Sequence, residues 1–314
     1  MTSPAYLDML DELLRPGIAR LSERFVAAQV GFVAGCQRPD GGFGGRQGDS
    51  DPYYTDFALR TLSWLAPGHA AFDRVAGYLP RLDSPPRDVV ECFSALSVRR
   101  LWQRHSPHAV GDGAQAQNPL SWTASLYGRL LPGGGFARRA DEEGVSAYHT
   151  FLGALCFQLL GIDMPMGEEA IAAVETLRCP DGGYAERAGQ TASQTSATAA
   201  AVAFLITNNA LSPETMAETS RFLAQMESAD GGLRAHADVA AGDLLSTYTG
   251  LVTLWGLGGL LQIDVAGAAR FLRRMAHPGG GFLACDGDDA ADVEYTYYGV
   301  GTLALLRHLT PAPA

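Results

Sequence analysis

Apolar residues recur at i, i+3 and i+4 through 21–36, 168–177, 213–226 and 265–275. That spacing predicts amphipathic helices with one buried face. Each stretch runs into a pair or triplet of glycines, then a polar loop, then a second helix of different character. Residues 198–206 and 247–261 are apolar all round, and the runs ending at Trp64 and Leu160 are also rich in apolar residues. A helix apolar on every side is enclosed by others. Two layers follow: an inner layer of apolar helices and an outer layer of amphipathic ones. Strand-like alternation never lasts more than a few residues, so the fold is expected to be all-α.

The alternation of helix types is a repeat. The aromatic residue or Leu that ends the glycine turn falls at Phe136, Tyr184, Leu233 and Phe282, at intervals of 48, 49 and 49 residues. An earlier copy ends at Phe43, after Gln37-Arg38-Pro39-Asp40-Gly41-Gly42. Glycine at a helix C-terminus tolerates positive φ and lets backbones approach closely. A Thr opens each second helix (Thr55, Thr150, Thr198, Thr247, Thr296), with a small residue three positions on (Ala58, Gly153, Ala201, Gly250, Gly299). Those small residues are expected to let inner helices crowd around a common axis. Residues 88–102 and 121–131 read as degenerate inner and outer partners, Pro85-Pro86 as a break, and 105–118 as a long loop. About six pairs suffice to close an α/α toroid with a central cavity. The expected layout is one domain over 1–314, with an N-terminal helix in 1–18 and repeats over 19–310.

The last repeat is the most chemically loaded. Residues 279–299 hold a glycine turn, then Asp286, Asp288, Asp289, Asp292 and Glu294, then Tyr295, Tyr297 and Tyr298. Acids at a helix N-terminus are commonly dipole-stabilised caps. The tyrosines beside them suggest more, because aromatic faces attract cations. On one helix at most two of those three can face the same cavity.

Composition narrows the partners. A net charge of -11 argues against nucleic acid, which needs a basic face. It leaves a lipid substrate open. No apolar run approaches bilayer length, and the N-terminus does not read as a signal peptide. Five widely spaced cysteines without a CxxC pair read as reduced core thiols, which points to the cytoplasm.

Gln37-x-x-x-Gly41-x-Phe43 resembles the repeat of squalene–hopene and oxidosqualene cyclases, with Phe in the usual Trp place. The helix–glycine–loop–helix unit is similar to the β-subunit of protein prenyltransferases, in particular the Rab geranylgeranyltransferase type, over nearly the whole chain. The prenyltransferase resemblance implies a zinc held by an Asp-x-Cys pair and a His. Here Asp243 falls on the Asp, but Leu245 stands for the Cys and Tyr295 for the His. Ala237 and Ala240 stand where the family's basic, diphosphate-clamping residues lie, and Gln194 where its diphosphate-binding His lies. Zinc is therefore not expected, and magnesium only if a diphosphate is bound. The cyclase resemblance implies an Asp-x-Asp-Asp acid. Asp286-Gly287-Asp288-Asp289 matches the letters in a loop. Asp292-Val293-Glu294-Tyr295 matches the position at a helix start, with Glu and Tyr substituted.

The expected catalytic residues are Asp292, Glu294, Tyr295 and Asp243. The expected substrate-binding residues are His149, Tyr148, Gln194, Tyr248, Tyr298 and Trp255. Packing is the competing role for His149 and Trp255, and the expected role of Tyr53, Tyr54 and Trp122. Arg46, Arg138, Arg139, Arg187 and Arg234 follow the turns and would sit at one rim, either as solvated charges or as a diphosphate receptor. The expected ligand is an isoprenoid or its diphosphate. The expected function is acid-initiated terpene cyclisation. The alternatives are a zinc-independent transferase with a partner subunit, and a non-catalytic lipid-binding module. Transient membrane contact would suit a lipid substrate.

Overall fold

A computed structural model of the protein describes residues 5–109 and 119–309. Thirteen α-helices are formed among the described residues. The inner helices are α3 (Pro52–Leu65), α5 (Val89–His105), α7 (Ala147–Leu160), α9 (Thr195–Thr207), α11 (Leu244–Gly256) and α13 (Val293–Leu309). Each packs on the next, and α13 packs back on α3, so the ring closes. The outer partners are α2 (Glu23–Gly35), the short α4 (Ala71–Arg74), α6 (Pro119–Tyr127), α8 (Gly167–Glu175), α10 (Pro213–Gln225) and α12 (Val265–Met275). The expected α/α toroid of six helix pairs is the fold observed. The expected long loop begins with a short 3-10 turn at Pro107–Ala109, and residues 110–118 of it lie outside the described residues.

One device repeats around the ring. An isolated bridge closes each of five glycine turns, as in Arg178–Tyr184 and Glu227–Leu233. The glycine two positions before the residue that ends the turn takes a φ of 84° to 93° in all five (Gly41, Gly134, Gly182, Gly231, Gly280), a conformation other residues adopt only with strain. The backbone N–H of the residue ending the turn then donates to the Thr hydroxyl of the following inner helix. The distance is 2.9 Å for Leu233 to Thr247 and 3.0 Å for Phe136 to Thr150. All five threonines are fully buried. Each thus satisfies a buried donor that would otherwise lack a partner.

The small residues work differently from expectation. A Cβ at Gly153 would lie 2.6 Å from the Phe136 ring, one at Gly250 2.5 Å from Leu233, and one at Gly299 2.3 Å from Phe282. They clear space for the side chain that ends their own turn. Inner-helix crowding occurs instead at Gly301, where a Cβ would meet the Tyr248 ring at 2.4 Å. Helix α11 also stops at Gly256 rather than running to 261, because Gly258 adopts a left-handed φ of 72°.

Helix α1 (Tyr6–Ile18) lies outside the repeat and packs chiefly on α13. Gly17 presses against the Ala304 carbonyl, Trp64 Nε1 donates to Asp11 Oδ1 at 2.7 Å, and Arg100 donates to Asp8 at 3.1 Å. These partners all sit in the C-terminal halves of inner helices, so α1 covers the end of the barrel opposite the glycine turns. No helix among the described residues is long and apolar enough to cross a membrane. Cys92, Cys156 and Cys179 are buried, Cys36 and Cys285 half-buried, and all five thiols are free.

Candidate active site

Because α3, α7, α9, α11 and α13 each start just after a glycine-turn loop, their five N-termini gather at one rim. The N-terminal parts of these five helices line a cavity of about 380 Å³ inside the ring. Its walls include Tyr53, Tyr148, Tyr248 and Tyr298, with Phe151, Val252 and the alanines of α9. Gln194, Leu245 and Glu186 also border it. Concave sites of this size with apolar walls and few polar groups are typical of small-molecule binding.

The two best sequence candidates, Asp292 and Glu294, line a more open rim pocket beside this cavity. Asp292 caps α13, accepting from Tyr295 N at 2.9 Å, and is 7% exposed. Glu294 Oε1 accepts from the Tyr53 hydroxyl at 2.7 Å and, more weakly, from the Tyr298 hydroxyl at 3.4 Å. Both hydroxyls belong to residues that line the cavity. Burial pushes the Glu294 carboxyl above the ordinary range and the nearby Asp292 charge pushes the same way, against the Tyr53 and Tyr298 hydrogen bonds. Burial likewise raises Asp292, against its backbone hydrogen bond and Arg46. A buried carboxyl beside a second, Arg-paired carboxylate holds its proton to higher pH than an ordinary Glu, as a proton donor needs.

Arg46 closes the ring electrostatically. It reaches from the first repeat to the last, donating from Nε to Asp292 Oδ2 at 3.0 Å and from Nη1 to Asp288 Oδ1 at 2.6 Å. Arg46 therefore does not sit free at the rim to receive a diphosphate. Nor do its counterparts. Arg138 pairs with Asp88 at 2.9 Å, Arg187 with Glu142 at 3.4 Å, and Arg234 donates to main-chain carbonyls. Asp288 is thus a structural anchor, while Asp286 and Asp289 are exposed.

The hydrogen bonds from Arg46 hold Asp288 down at about 2. A carboxyl depressed in the folded state stabilises above its unfolded pKa, and that contribution is lost as pH falls through the folded value. Arg46→Met is therefore expected to be less stable than the parent from neutral pH down to about 4. The two urea midpoints should converge as pH falls toward 2.

Other candidates are placed as follows. Tyr148, Gln194, Tyr248 and Tyr298 line the cavity. Of the three clustered tyrosines only Tyr298 does. Tyr297 is buried behind it, stacked on Trp64 at 4.6 Å, and Tyr295 faces the rim pocket with Arg46 6.0 Å from its ring centroid. Asp243 caps α11, accepting 2.7 Å bonds from Ser246 N and Oγ, and is not among the cavity walls. His149 borders a neighbouring rim pocket instead of the cavity. Its Nδ1 is buried without a hydrogen bond, 4.0 Å from Glu186 Oε1, and burial, reinforced by Arg187 and Arg138, lowers the imidazole pKa to about 4, so the ring is neutral. Trp255 is 42% exposed at the far end of α11 and reaches no part of the cavity.

Two further candidate positions were not legible in advance. Tyr53, expected to pack, contacts both cavity and acid. Glu186 is the one carboxylate among the cavity-lining residues. Burial raises its pKa, and it accepts from the Ser146 hydroxyl. Its signal was weak: an acid two positions after Tyr184, where the third repeat has Arg138.

The zinc set of the prenyltransferase pattern does not fit. Asp243 is occupied as a cap, Leu245 offers no ligand atom, and Tyr295 has a phenol in place of an imidazole. Among the described residues no group of three His, Cys, Asp or Glu side chains is placed to hold a metal.

A closed ring of inner helices around an aromatic cavity, with acids at its rim, defines a helical toroid. Residues 6–84 and 150–313 match the model described as "Prenyltransferase alpha-alpha toroid domain", and the chain belongs to that family. The unmatched stretch holds α5 and α6, the units whose repeat is degenerate. No curated protein matches the chain by sequence. Among solved structures it is similar to Candida albicans protein geranylgeranyltransferase-I, which was solved with GGPP (TM-score 0.67, 14% identity, covering 90% of this chain and 92% of that one). It is also similar to the Scytonema type II terpene cyclase MstE, in complex with geranylgeranyl dihydroxybenzoate (TM-score 0.61, 14% identity, 93% and 98% covered). An unsaturated glucuronyl hydrolase specific for heparin shares the fold as well (TM-score 0.58, 12% identity, 93% and 96% covered). At such identities the likeness concerns fold, and function has to be argued from the site.

Proposed function

We propose that the protein cyclises an isoprenoid substrate by acid initiation, with Glu294 as the acid. The observation that carries this is the junction of a buried carboxyl, raised above the ordinary range by burial, with the hydroxyls of two tyrosines that line an aromatic cavity. With Glu294 protonated, the 2.7 Å hydrogen bond reverses: Glu294 donates to the Tyr53 oxygen, and as its proton transfers there the Tyr53 hydroxyl passes its own proton to a terminal alkene carbon. Tyr53 ends as it began, Glu294 is left as a carboxylate, and the substrate carries a tertiary carbocation. The faces of Tyr148, Tyr248 and Tyr298 attract the cation. Internal alkenes attack it and form rings, and Glu186 takes the final proton. Exchange with water through the open rim restores both acids.

Asp292 and Arg46 serve this site by position. Asp292 caps the helix that carries Glu294, and its charge favours the protonated neighbour. The test is mass balance. Incubation with geranylgeranyl compounds should give cyclic isomers of unchanged mass, read by gas or liquid chromatography with mass spectrometry. Release of diphosphate with transfer of the chain to an acceptor would support a transferase instead.

A further inference from the structure

Helix α1 is outside the repeat, yet it ends in the cavity. Tyr6, its first residue, is a cavity wall. Its ring meets Phe151 edge-on at 4.9 Å, and its backbone N–H donates to Gln158 Oε1 at 3.1 Å. Depth can be counted in helical turns from the rim. Tyr148 and Gln194 stand at the first turn, Phe151 at the second, and Val252 and Thr253 at the third. Gln158 belongs to the fourth turn of α7, below every residue of that helix lining the cavity. Tyr6 therefore forms the floor.

Behind Tyr6, α1 occupies the lower barrel. Leu10, Leu13 and Leu14 are buried, and Gly17 is wedged on Ala304. The α9 wall is different. Helix α9 offers Ala199 and Ala200, among the smallest side chains available. Below its first turns the cavity is lined without a charged group, which suits hydrocarbon and nothing ionic.

We propose that α1 is the chain-length gauge of this cavity: Tyr6 sets the depth at which an isoprenoid tail stops, and Ala199 and Ala200 set the width it has there. This rests on the proposed function, since it assumes that the occupant is isoprenoid. The gauge would be carried by a segment that the repeat does not contain. Chain-length preference can then change through 6–18 without disturbing the acid at the rim.

The test uses the full chain as wild type, Tyr6→Ala, Tyr6→Leu and Ala200→Phe, each checked for helical content and cooperative melting. Each is equilibrated with geraniol, farnesol, geranylgeraniol and geranylfarnesol, and retained ligand is read by native mass spectrometry and titration. Tyr6→Ala should tighten binding of the next longer isoprenol by about tenfold, since several more carbons gain a buried place. Tyr6→Leu should shift preference the same way by less. Ala200→Phe should shift it toward shorter chains, and this holds as a test even if the Tyr6 variants do not fold. The same preference in every folded variant would overturn the gauge and leave the proposed function standing. A folded wild type that retains none of the four would overturn the proposed function and the gauge with it.

Discussion

Glu294→Gln is expected to lower turnover of an isoprenoid substrate by about a thousandfold, within the range typical for loss of a general acid. The amide has nearly the carboxyl's shape, and its oxygen can still accept from the Tyr53 hydroxyl. Ligand affinity should therefore change little, and the loss should appear in kcat rather than KM. The pH profile gives the second signature. The acid works only when protonated, and burial keeps Glu294 protonated to higher pH than an ordinary Glu. Activity of the parent should rise as pH falls through that raised value, and the variant should lose this limb. Tyr53→Phe, which removes the hydroxyl but keeps the ring, should show most of the same loss. A Glu294→Gln enzyme within about threefold of the parent would remove Glu294 from the acid role.

Gly299→Leu should destabilise the protein by about 3 kcal/mol or more, as overpacking of a filled core does at its upper end. The added Cβ would lie 2.3 Å from Phe282, whose ring is 1% exposed and cannot move outward. Replacing Phe282 by Ala in the same chain should recover part of the loss. The two substitutions would then be strongly non-additive in a double-mutant cycle, as contacting residues are. Gly31 serves as the control. A Cβ there meets nothing within 4 Å, so Gly31→Ala on α2 should stabilise by roughly 0.5–1 kcal/mol. Urea midpoints measure all four variants. Equal effects at Gly31 and Gly299 would contradict the turn-pocket account of the small-residue register.

The fold was legible because the repeat states it many times. Positive-φ glycines, buried threonines and small residues recur at fixed offsets, so each unit checks the others. Even the weakly marked α5 and α6 were located by their place in the count. The role of the small residues was not legible, because sequence spacing says that space is needed and not which side chain fills it. The candidate site was legible where helix starts define it: Asp292, Glu294, Tyr148 and Gln194 lie in the first turns of inner helices or just before them, and Tyr248 lies at the start of a second turn. It failed where partners come from distant repeats. Arg46 lies more than 240 residues from Asp288 and Asp292, and their pairing depends on the ring closing. Tyr6 and Glu186 were missed for the same reason. Trp255 was misplaced because an aromatic residue on an apolar helix carries no mark of which end of the barrel it occupies.

Cyclisation in deuterium oxide tests acid initiation most directly. If Glu294 starts the reaction with a proton exchanged from solvent, each turnover should leave one deuterium on the cyclic product, at the carbon of the former terminal alkene, with the head group retained. A cyclic product without deuterium, or diphosphate released before any ring forms, would contradict it.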